Sequence, residues 1–313
     1  LKGYFEKSGA FDRIVIGLSG GKDSALVLVI SWYYALLRFE HLKGEENRLA
    51  VADFIHCYSM PSRFNSETTR SIAEELAIEL GVSFVEVPIQ EAFEREVEAA
   101  EKLLVGGEVS PLTKQNIQAR IRGSRMWSLS NSLRGLWIQT SNMSERAVGY
   151  TTIGGDMMGS YSLIANLPKT VVIELLRYIA EETGFESLKK LVKTKASAEL
   201  DENQEDEKDL MPFPVLDAMF HLFAGEALMP DELYQVVRSM WTDEELVQMR
   251  PDYTEGMLEG WTERFIRLFT NSIFKWVQSP QAVHLGSLDL DRERALQLPV
   301  IQSKEWLELD ELK

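Results

Sequence analysis

The chain has a single cysteine, Cys57, among 313 residues. One thiol cannot close an internal disulfide, so a reducing compartment, the cytoplasm, is expected. Cys57 lies in the apolar run Phe54-Ile55-His56-Cys57-Tyr58 and reads as a small buried strand residue rather than a nucleophile. No run of about 18 apolar residues occurs, so no membrane-spanning helix is expected. No secretory leader is read at the N-terminus either. Excess positive charge is also missing: 33 Lys and Arg stand against 49 Asp and Glu, a formal net charge of −16. That leaves no basic stripe for a nucleic-acid surface. No internal repeat is present. Neither G-x-x-x-x-G-K-[ST] nor a post-strand G-x-G-x-x-G occurs, so the common nucleotide loops are excluded.

What is present begins at residues 14–30, IVIGLSGGKDSALVLVI. An apolar strand runs into Ser19-Gly20-Gly21-Lys22-Asp23-Ser24, and an apolar helix follows. Adjacent glycines let the backbone turn tightly and approach a ligand. A turn that ends at a helix N-terminus presents unpaired N–H groups and the positive end of the dipole to an anion. Ser19 and Ser24 add hydroxyls, and Asp23 adds a carboxylate able to hold Mg²⁺ beside a phosphate. Strand context, two glycines, two serines and a carboxylate together favour a phosphate cradle over an ordinary packing turn.

The length suffices for one large domain or two small ones, and a 45% hydrophobic content suits a full core. Strands are predicted at 14–18, 52–58, 83–87 and 136–140, and helices at 24–39, 66–80, 89–104 and 116–132. This alternation predicts an α/β fold: a doubly wound parallel sheet with helices on both faces. Ligands then bind beyond the carboxyl ends of the strands, the edge that holds the glycine turn, 60–65 and 141–145. Residues 193–214 change character. The acidic run 200–207 reads as a solvated loop, and Pro212 and Pro214 follow. After 215, helices are predicted at 215–223, 230–240 and 254–277, with Trp241 and Trp261 as packing anchors.

The second informative block runs from Asn116 to Thr170. Thr140-Ser141-Asn142-Met143-Ser144-Glu145 supplies hydroxyls and a carboxylate at the ligand edge, and Gly154-Gly155-Asp156 follows. Pro168-Lys169-Thr170 opens another helix, since proline is welcome in a first turn. A lysine there opposes the dipole unless an anion pairs with it, a local conflict that points to function. Each residue also has a bland reading: Arg120 and Lys275 as surface cations, Asp156 as a turn cap, Glu145 as a first-turn acid.

The SGGxDS string resembles the pyrophosphate loop of the ATP pyrophosphatases. The ordered set resembles, more narrowly, the synthetase domain of the NAD⁺ synthetases, especially the bacterial glutamine-dependent kind. That set is the loop itself, Met60-Pro61-Ser62, Asn116 with Arg120, residues 140–145, Gly149-Tyr150-Thr151-Thr152 with Asp156, Pro168-Lys169-Thr170, Ser197-Ala198-Glu199-Leu200 and Phe274-Lys275. It extends over residues 1–280. The resemblance implies an adenine nucleotide alpha hydrolase-like fold with a C-terminal helical part. It implies one synthetase domain, with a nucleotide-binding core at 1–200, a mobile loop at 193–214, a helical part at 215–280 and a tail at 281–313. The implied reaction is ATP-dependent amidation of deamido-NAD⁺ to NAD⁺, with release of AMP and pyrophosphate.

By the same resemblance, Ser19, Gly20, Gly21, Asp23, Ser24, Met60, Arg120, Thr140, Lys169 and Ser197 bind ATP. Asp23 and Glu145 hold Mg²⁺, and Asp23, Glu145 and Lys169 are catalytic. Asn116, Asp156 and Lys275 bind deamido-NAD⁺. A homodimer is implied, together with ammonia that is free or comes from a separate glutaminase whose cysteine, glutamate and lysine set is not found in this chain. The opening at Leu1, without a methionine, suggests a piece of a longer protein. Two residues depart from the family pattern. Lys22 fills a slot usually uncharged in NAD⁺ synthetases and common in tRNA-thiolating ATP pyrophosphatases, and Trp276 stands where a second basic residue is frequent. Rival readings are a tRNA-thiolating or GMP-synthetase-like ATP pyrophosphatase and a non-catalytic nucleotide-binding subunit. The run Asp289-Leu290-Asp291-Arg292-Glu293-Arg294 is expected to be solvated.

Overall fold

The computed structural model describes residues 1–290 except 202, 203, 277, 281 and 287. The chain begins α1 (Lys2–Ser8), β1 (Arg13–Gly17), α2 (Lys22–Arg38), α3 (Gly44–Phe54), β2 (Ile55–Ser59), α4 (Glu67–Leu80), β3 (Ser83–Glu86), α5 (Gln90–Leu103), α6 (Pro111–Leu133) and β4 (Gly135–Gln139). It continues with α7 (Met143–Ala147), β5 (Tyr161–Ser162), α8 (Lys169–Thr183), α9 (Glu186–Leu191), α10 (Asp206–Asp209) and α11 (Phe213–Phe220). A π-helical turn (His221–Gly225) leads into α12 (Pro230–Met240), α13 (Asp243–Met249) and α14 (Met257–Trp276).

The sheet is parallel, in the order β3-β2-β1-β4-β5. Side chains alternate between its faces as the pleat requires. Ile14 and Ile16 of β1, Ile55 and Cys57 of β2, and Leu136 and Ile138 of β4 join one core with α2, α4, α8 and α9. Val15 and Trp137 point the other way and pack with Met126 of α6 and Ile89. Both faces of the sheet are therefore covered, which explains the unbroken apolar runs of β1 and β4. From β1 the chain winds outward through β2 to β3, then returns to the opposite side of β1 for β4. The β1/β4 boundary is thus a topological switch point, and a ligand crevice opens beyond the carboxyl ends of those strands.

The predicted 52–58 strand is shorter than expected. Residues 52–54 close α3, and β2 begins at Ile55. An apolar stretch of this length cannot be split into helix end and strand start by periodicity alone. A second core joins α7 to α11, α12 and α14 and holds Phe220, Phe265, Phe269 and Trp276. Trp261 is 7% exposed within it and Trp241 packs at its edge.

The acidic stretches differ from expectation. Asp206 is 4% exposed and accepts a hydrogen bond from Ala198 N at 2.9 Å. It is drawn inward by the ammonium described below, while Glu202 of the same run lies outside the described residues. Asp289, expected to be solvated, is 3% exposed, with His284 Nδ1 2.5 Å from its Oδ2, and Leu290 is buried beside it. The rest of that run, 291–294, and the tail beyond it lie outside the described residues. Among the described residues no helix is long and apolar enough to cross a membrane.

Phe269 is 1% exposed and its ring contacts those of Phe220, Phe223, Phe265 and Trp276. Phe269→Ala is expected to lower the unfolding free energy by about 3–5 kcal/mol, read as a shift of the urea midpoint.

Candidate functional site

The turn after β1 is built by local hydrogen bonds. Ser24 Oγ donates to Gly21 O at 3.1 Å and lies 3.1 Å from Ser19 Oγ, which accepts from Gly21 N at 3.2 Å. Gly20 has φ +83°, and a Cβ there would run into the Thr69 carbonyl, so the position admits only glycine. Gly21 caps α2, placing Lys22, Asp23 and Ser24 in its first turn.

The turn after β4 brings the second half. Asn142 caps α7 by accepting from Glu145 N at 3.0 Å. The same residue's Nδ2 donates to Asp23 Oδ1 at 2.9 Å. Lys169 opens α8, is 3% exposed, and donates to Glu145 Oε1 at 2.9 Å and to Asp23 Oδ2. The anions that the helix-start lysine required are these two carboxylates, 24 and 146 positions away in sequence. The ring of Phe213 lies 5.3 Å from Lys169 Nζ and adds a cation–π contact.

Pro168 at the start of α8 offers no side-chain acceptor, and Asp217 of α11 supplies it. Its Oδ2 accepts from Thr170 N at 3.0 Å and Thr170 Oγ1 at 2.7 Å, and its Oδ1 accepts from Ser144 Oγ. Lys169 N in turn donates to Ser144 Oγ at 2.7 Å. Sequence reasoning did not single out Asp217. A proline cap, which cannot accept the first-turn N–H groups, was the available sign that an acceptor had to come from elsewhere.

The glycine turn and the Asp23, Glu145 and Lys169 side chains line a cavity of about 420 Å³. Ser19, Gly20, Gly21, Asp23, Ser24, Met60, Thr140, Glu145, Lys169 and Ser197 all border it, as do Asn116, Asp156 and Lys275. Asn116 Oδ1 accepts from Thr152 Oγ1 at 2.7 Å, Asp156 Oδ1 from Thr152 N at 2.8 Å, and Lys275 Nζ donates to the carbonyls of Gly149 and Thr151 at 2.6 and 2.7 Å. The three predicted substrate residues therefore meet on one loop.

Arg120 is the exception. Its Nε donates to Ile153 O at 3.1 Å and it does not border the cavity. Arg122 does, because residues two apart on a helix lie about 200° apart around its axis. Arg122 donates to Met60 O at 2.9 Å and to Asn65 Oδ1 at 3.3 Å. Burial, partly opposed by Asp156 and Glu199, lowers its pKa to about 10. Of this arginine pair the resemblance named Arg120, and the structure brings Arg122 to the cavity.

Burial shifts the titration of the whole cluster. It pushes Glu145 above the usual carboxylate range, with Asp23 and Asp206 adding to the rise and Lys169 opposing it. For Lys169, burial opposes charging, but Asp23, Glu145 and Asp206 outweigh it and hold the pKa above the ordinary lysine value. Lys22 is pulled down to about 8 by burial and by Lys169. Asp156 is raised by burial against its hydrogen bonds from Thr152, and Cys57 is likewise raised and inert.

Among the described residues no cluster of three or more His, Cys, Asp or Glu could hold a metal alone. Asp23 and Glu145 converge on one ammonium, and such a pair suits Mg²⁺, which takes one or two carboxylates and completes its shell with substrate phosphates and water.

A family model described as NAD synthase matches residues 1–250. A glutamine-dependent NAD(+) synthetase of Thermotoga maritima is 36% identical over 234 residues, 74% of this chain and 38% of that protein. One from Acinetobacter baylyi is 30% identical over 295 residues, 93% of this chain and 47% of that protein. The crystal structure of a glutamine-dependent NAD(+) synthetase from Cytophaga hutchinsonii superposes with a TM-score of 0.81 at 24% identity, covering 98% of this chain and 53% of that one, and so shares its fold. The chain spans less than half the length of the curated relatives it matches here.

Asp206 generates a pH prediction. Burial raises its folded pKa to about 6, above the unfolded value near 3.9. Between those values the folded state binds more protons, so this contribution is fully present below about pH 4 and lost as pH rises through about 6. Urea midpoints of the ligand-free protein and Asp206→Asn, compared from pH 4 to 7, are expected to converge or cross in that window, wild type losing ground as pH rises. A constant difference would assign Asp206 no titration there.

Proposed function

The chain belongs to the NAD synthase family, and from that premise we propose that it carries the synthetase reaction, ATP-dependent amidation of deamido-NAD⁺ to NAD⁺. The observation that carries this reading is the convergence of Asp23, Glu145 and Lys169 beside a glycine turn at the switch point of the sheet.

Joining the nicotinate carboxylate to the α-phosphorus of ATP brings two anions together and sheds a third, pyrophosphate. Lys169 is a buried, permanently charged donor positioned for the phosphate oxygens on which that charge builds. Ser19, Ser24 and the first-turn N–H groups of α2 orient the polyphosphate. Asp23 and Glu145 would hold Mg²⁺, which when bound neutralises charge on the phosphate oxygens. Burial raises Glu145 above the usual carboxylate range, Asp23 and Asp206 add to the rise, and Lys169 opposes it.

Asn116, Thr152 and Asp156 present a fixed set of oxygens at one end of the cavity, suited to the hydroxyls and amide-like edges of a dinucleotide. Arg122, a half-buried cation bordering the same cavity, suits its phosphate. Thr194, Ser197 and Leu200 border the same cavity, and their role in this reading is to exclude water from an acyl-adenylate. Ammonia, free or delivered by a glutaminase, then displaces AMP. The roles given to Ser197, Thr140 and Met60 rest on the family resemblance and on their place in the cavity lining.

Incubation with ATP, Mg²⁺ and deamido-NAD⁺ is expected to yield NAD⁺, AMP and pyrophosphate with ammonium. A product with glutamine alone would require an amidase site within these residues. Asp23→Asn, which keeps the shape and removes the charge, is expected to cut turnover at least ~10²-fold while circular dichroism shows the protein still folded at the assay temperature. Turnover within a few-fold of wild type would remove Asp23 from the chemistry.

A further inference from the structure

We propose that Lys22 is a latch: its ammonium ties the strap formed by residues 194–201 to the phosphate cradle, and an anion seated in the cradle tightens that hold. That the anion is a polyphosphate rests on the synthetase reading above; the latch itself rests on geometry.

Lys22 is the first residue of α2 and is 6% exposed. Both facts count against a cation. The N-terminus of a helix repels positive charge, and a buried ammonium loses its hydration. An uncharged residue would sit there more comfortably, so the lysine needs a reason. Its Nζ donates to Thr194 O at 2.5 Å and approaches Thr194 Oγ1 at 3.3 Å, across 172 positions of sequence. Asp23, Asp206 and Glu207 are near enough to favour its charge, but its direct partners are neutral oxygens.

The strap that follows Thr194 borders the cavity through Lys195, Ala196, Ser197, Ala198, Glu199 and Leu200. Its far end is pinned firmly. The Glu199 carboxylate accepts from Thr69 Oγ1 at 2.8 Å, Asn65 Nδ2 at 3.0 Å and Ser66 N at 3.4 Å, all around the start of α4. Gln118 Nε2 donates to Leu200 O at 2.9 Å. The near end is joined to the cradle by Lys22. One side chain thus belongs to two structures at once, the first turn of the anion-binding helix and the anchor of the strap.

The consequence is a linkage. An anion seated in the adjacent turn faces the same side chain that donates to Thr194, so it holds Lys22 at the cradle and, through the bond to Thr194, holds the near end of the strap. Coupling of this kind is reciprocal: the anion stabilises the closed strap, and the closed strap raises affinity for the anion. Lys22 is therefore a positioning residue that acts through the strap.

The test is limited trypsinolysis of the full chain at Lys195, whose side chain is 76% exposed at the near end of the strap. It is run with and without inorganic pyrophosphate and Mg²⁺ on wild type, Lys22→Met and Lys22→Arg. Lys22→Met keeps the length and removes the donor, and equal melting temperatures establish that α2 is intact. Loss of a hydrogen bond from a charged group is expected to speed cleavage of Lys22→Met roughly tenfold without ligand. Pyrophosphate should slow cleavage of wild type and Lys22→Arg and protect Lys22→Met far less. In turnover, the KM for ATP should rise in Lys22→Met with a smaller change in kcat. Cleavage and protection equal to wild type in Lys22→Met would overturn the latch, whatever the turnover. The latch pattern in a protein that makes no NAD⁺ would overturn the synthetase reading and leave the latch standing.

Discussion

Everything at the carboxyl edge of the sheet depends on one ammonium placed among three carboxyl groups. Lys169 touches Asp23 and Glu145 and lies close enough to Asp206 to shift its titration. The four residues come from α2, α7, α8 and α10, so the chain has to fold completely before any of them is compensated. Such a cluster is a poor device for stability, because well-packed apolar residues of the same volume do at least as well. Its presence is better explained by chemistry that needs fixed charge in a dry place. The upward shift of Glu145 makes the same point, since burial is its first cause and a buried carboxylate in company with Asp23 and Asp206 is costly to keep charged.

The two cores divide the work of holding that cluster. The sheet core positions Asp23, because α2 packs on β1 and α8 through Leu26, Leu28 and their neighbours. The helical core positions Glu145, because Met143, Ala147 and Val148 of and beside α7 pack with α11 and α14. Asp217 then ties the two by capping α8 from α11, at the residue next to Lys169. A capping carboxylate at a helix start contributes about 0.5–2 kcal/mol, a modest figure whose importance here is geometric. It fixes where α8 begins relative to the helical core, and so where the lysine sits between its two acids.

How much of this was legible in the sequence follows from the range of each interaction. β1, the glycine turn and α2 are specified within seventeen consecutive residues by pattern and turn chemistry, and they fold as read. Lys169 was legible as a conflict, a cation at a helix start, though its partners were not. The boundary between α3 and β2 was blurred because residues on both sides are apolar and the signal that separates them is length. Arg120 and Arg122 could not be told apart by spacing, since only the rotation of α6 decides which one borders the cavity. Asp206 and Asp289 read as solvated acids, and Asp217 was not singled out. Asp206 and Asp289 are buried and Asp217 half-buried, each because a partner elsewhere in the fold takes up its charge or hydrogen bonds. Local sequence carries propensity and pattern well, but compensation of buried charge is a tertiary property.

On the proposed reading an acidic protein handles a triphosphate and a dinucleotide, which poses an electrostatic problem, and the cavity's lining bears on it. The whole chain carries a formal charge of −16, yet the residues bordering the cavity include six lysines and arginines against five carboxylates. The negative surplus therefore lies elsewhere, where water and salt screen it within about 8 Å at physiological ionic strength. Inside, Lys22 and Lys169 are almost wholly desolvated and Arg122 is half-buried, and all three act at short range on whatever enters. A site tuned this close to neutrality admits an anion that brings its own cation more readily than a bare one. It also discriminates by position, since each buried charge is fixed by hydrogen bonds to backbone or to another side chain. Global charge then argues against a nucleic-acid surface without arguing against a nucleotide, because the two are read at different distances.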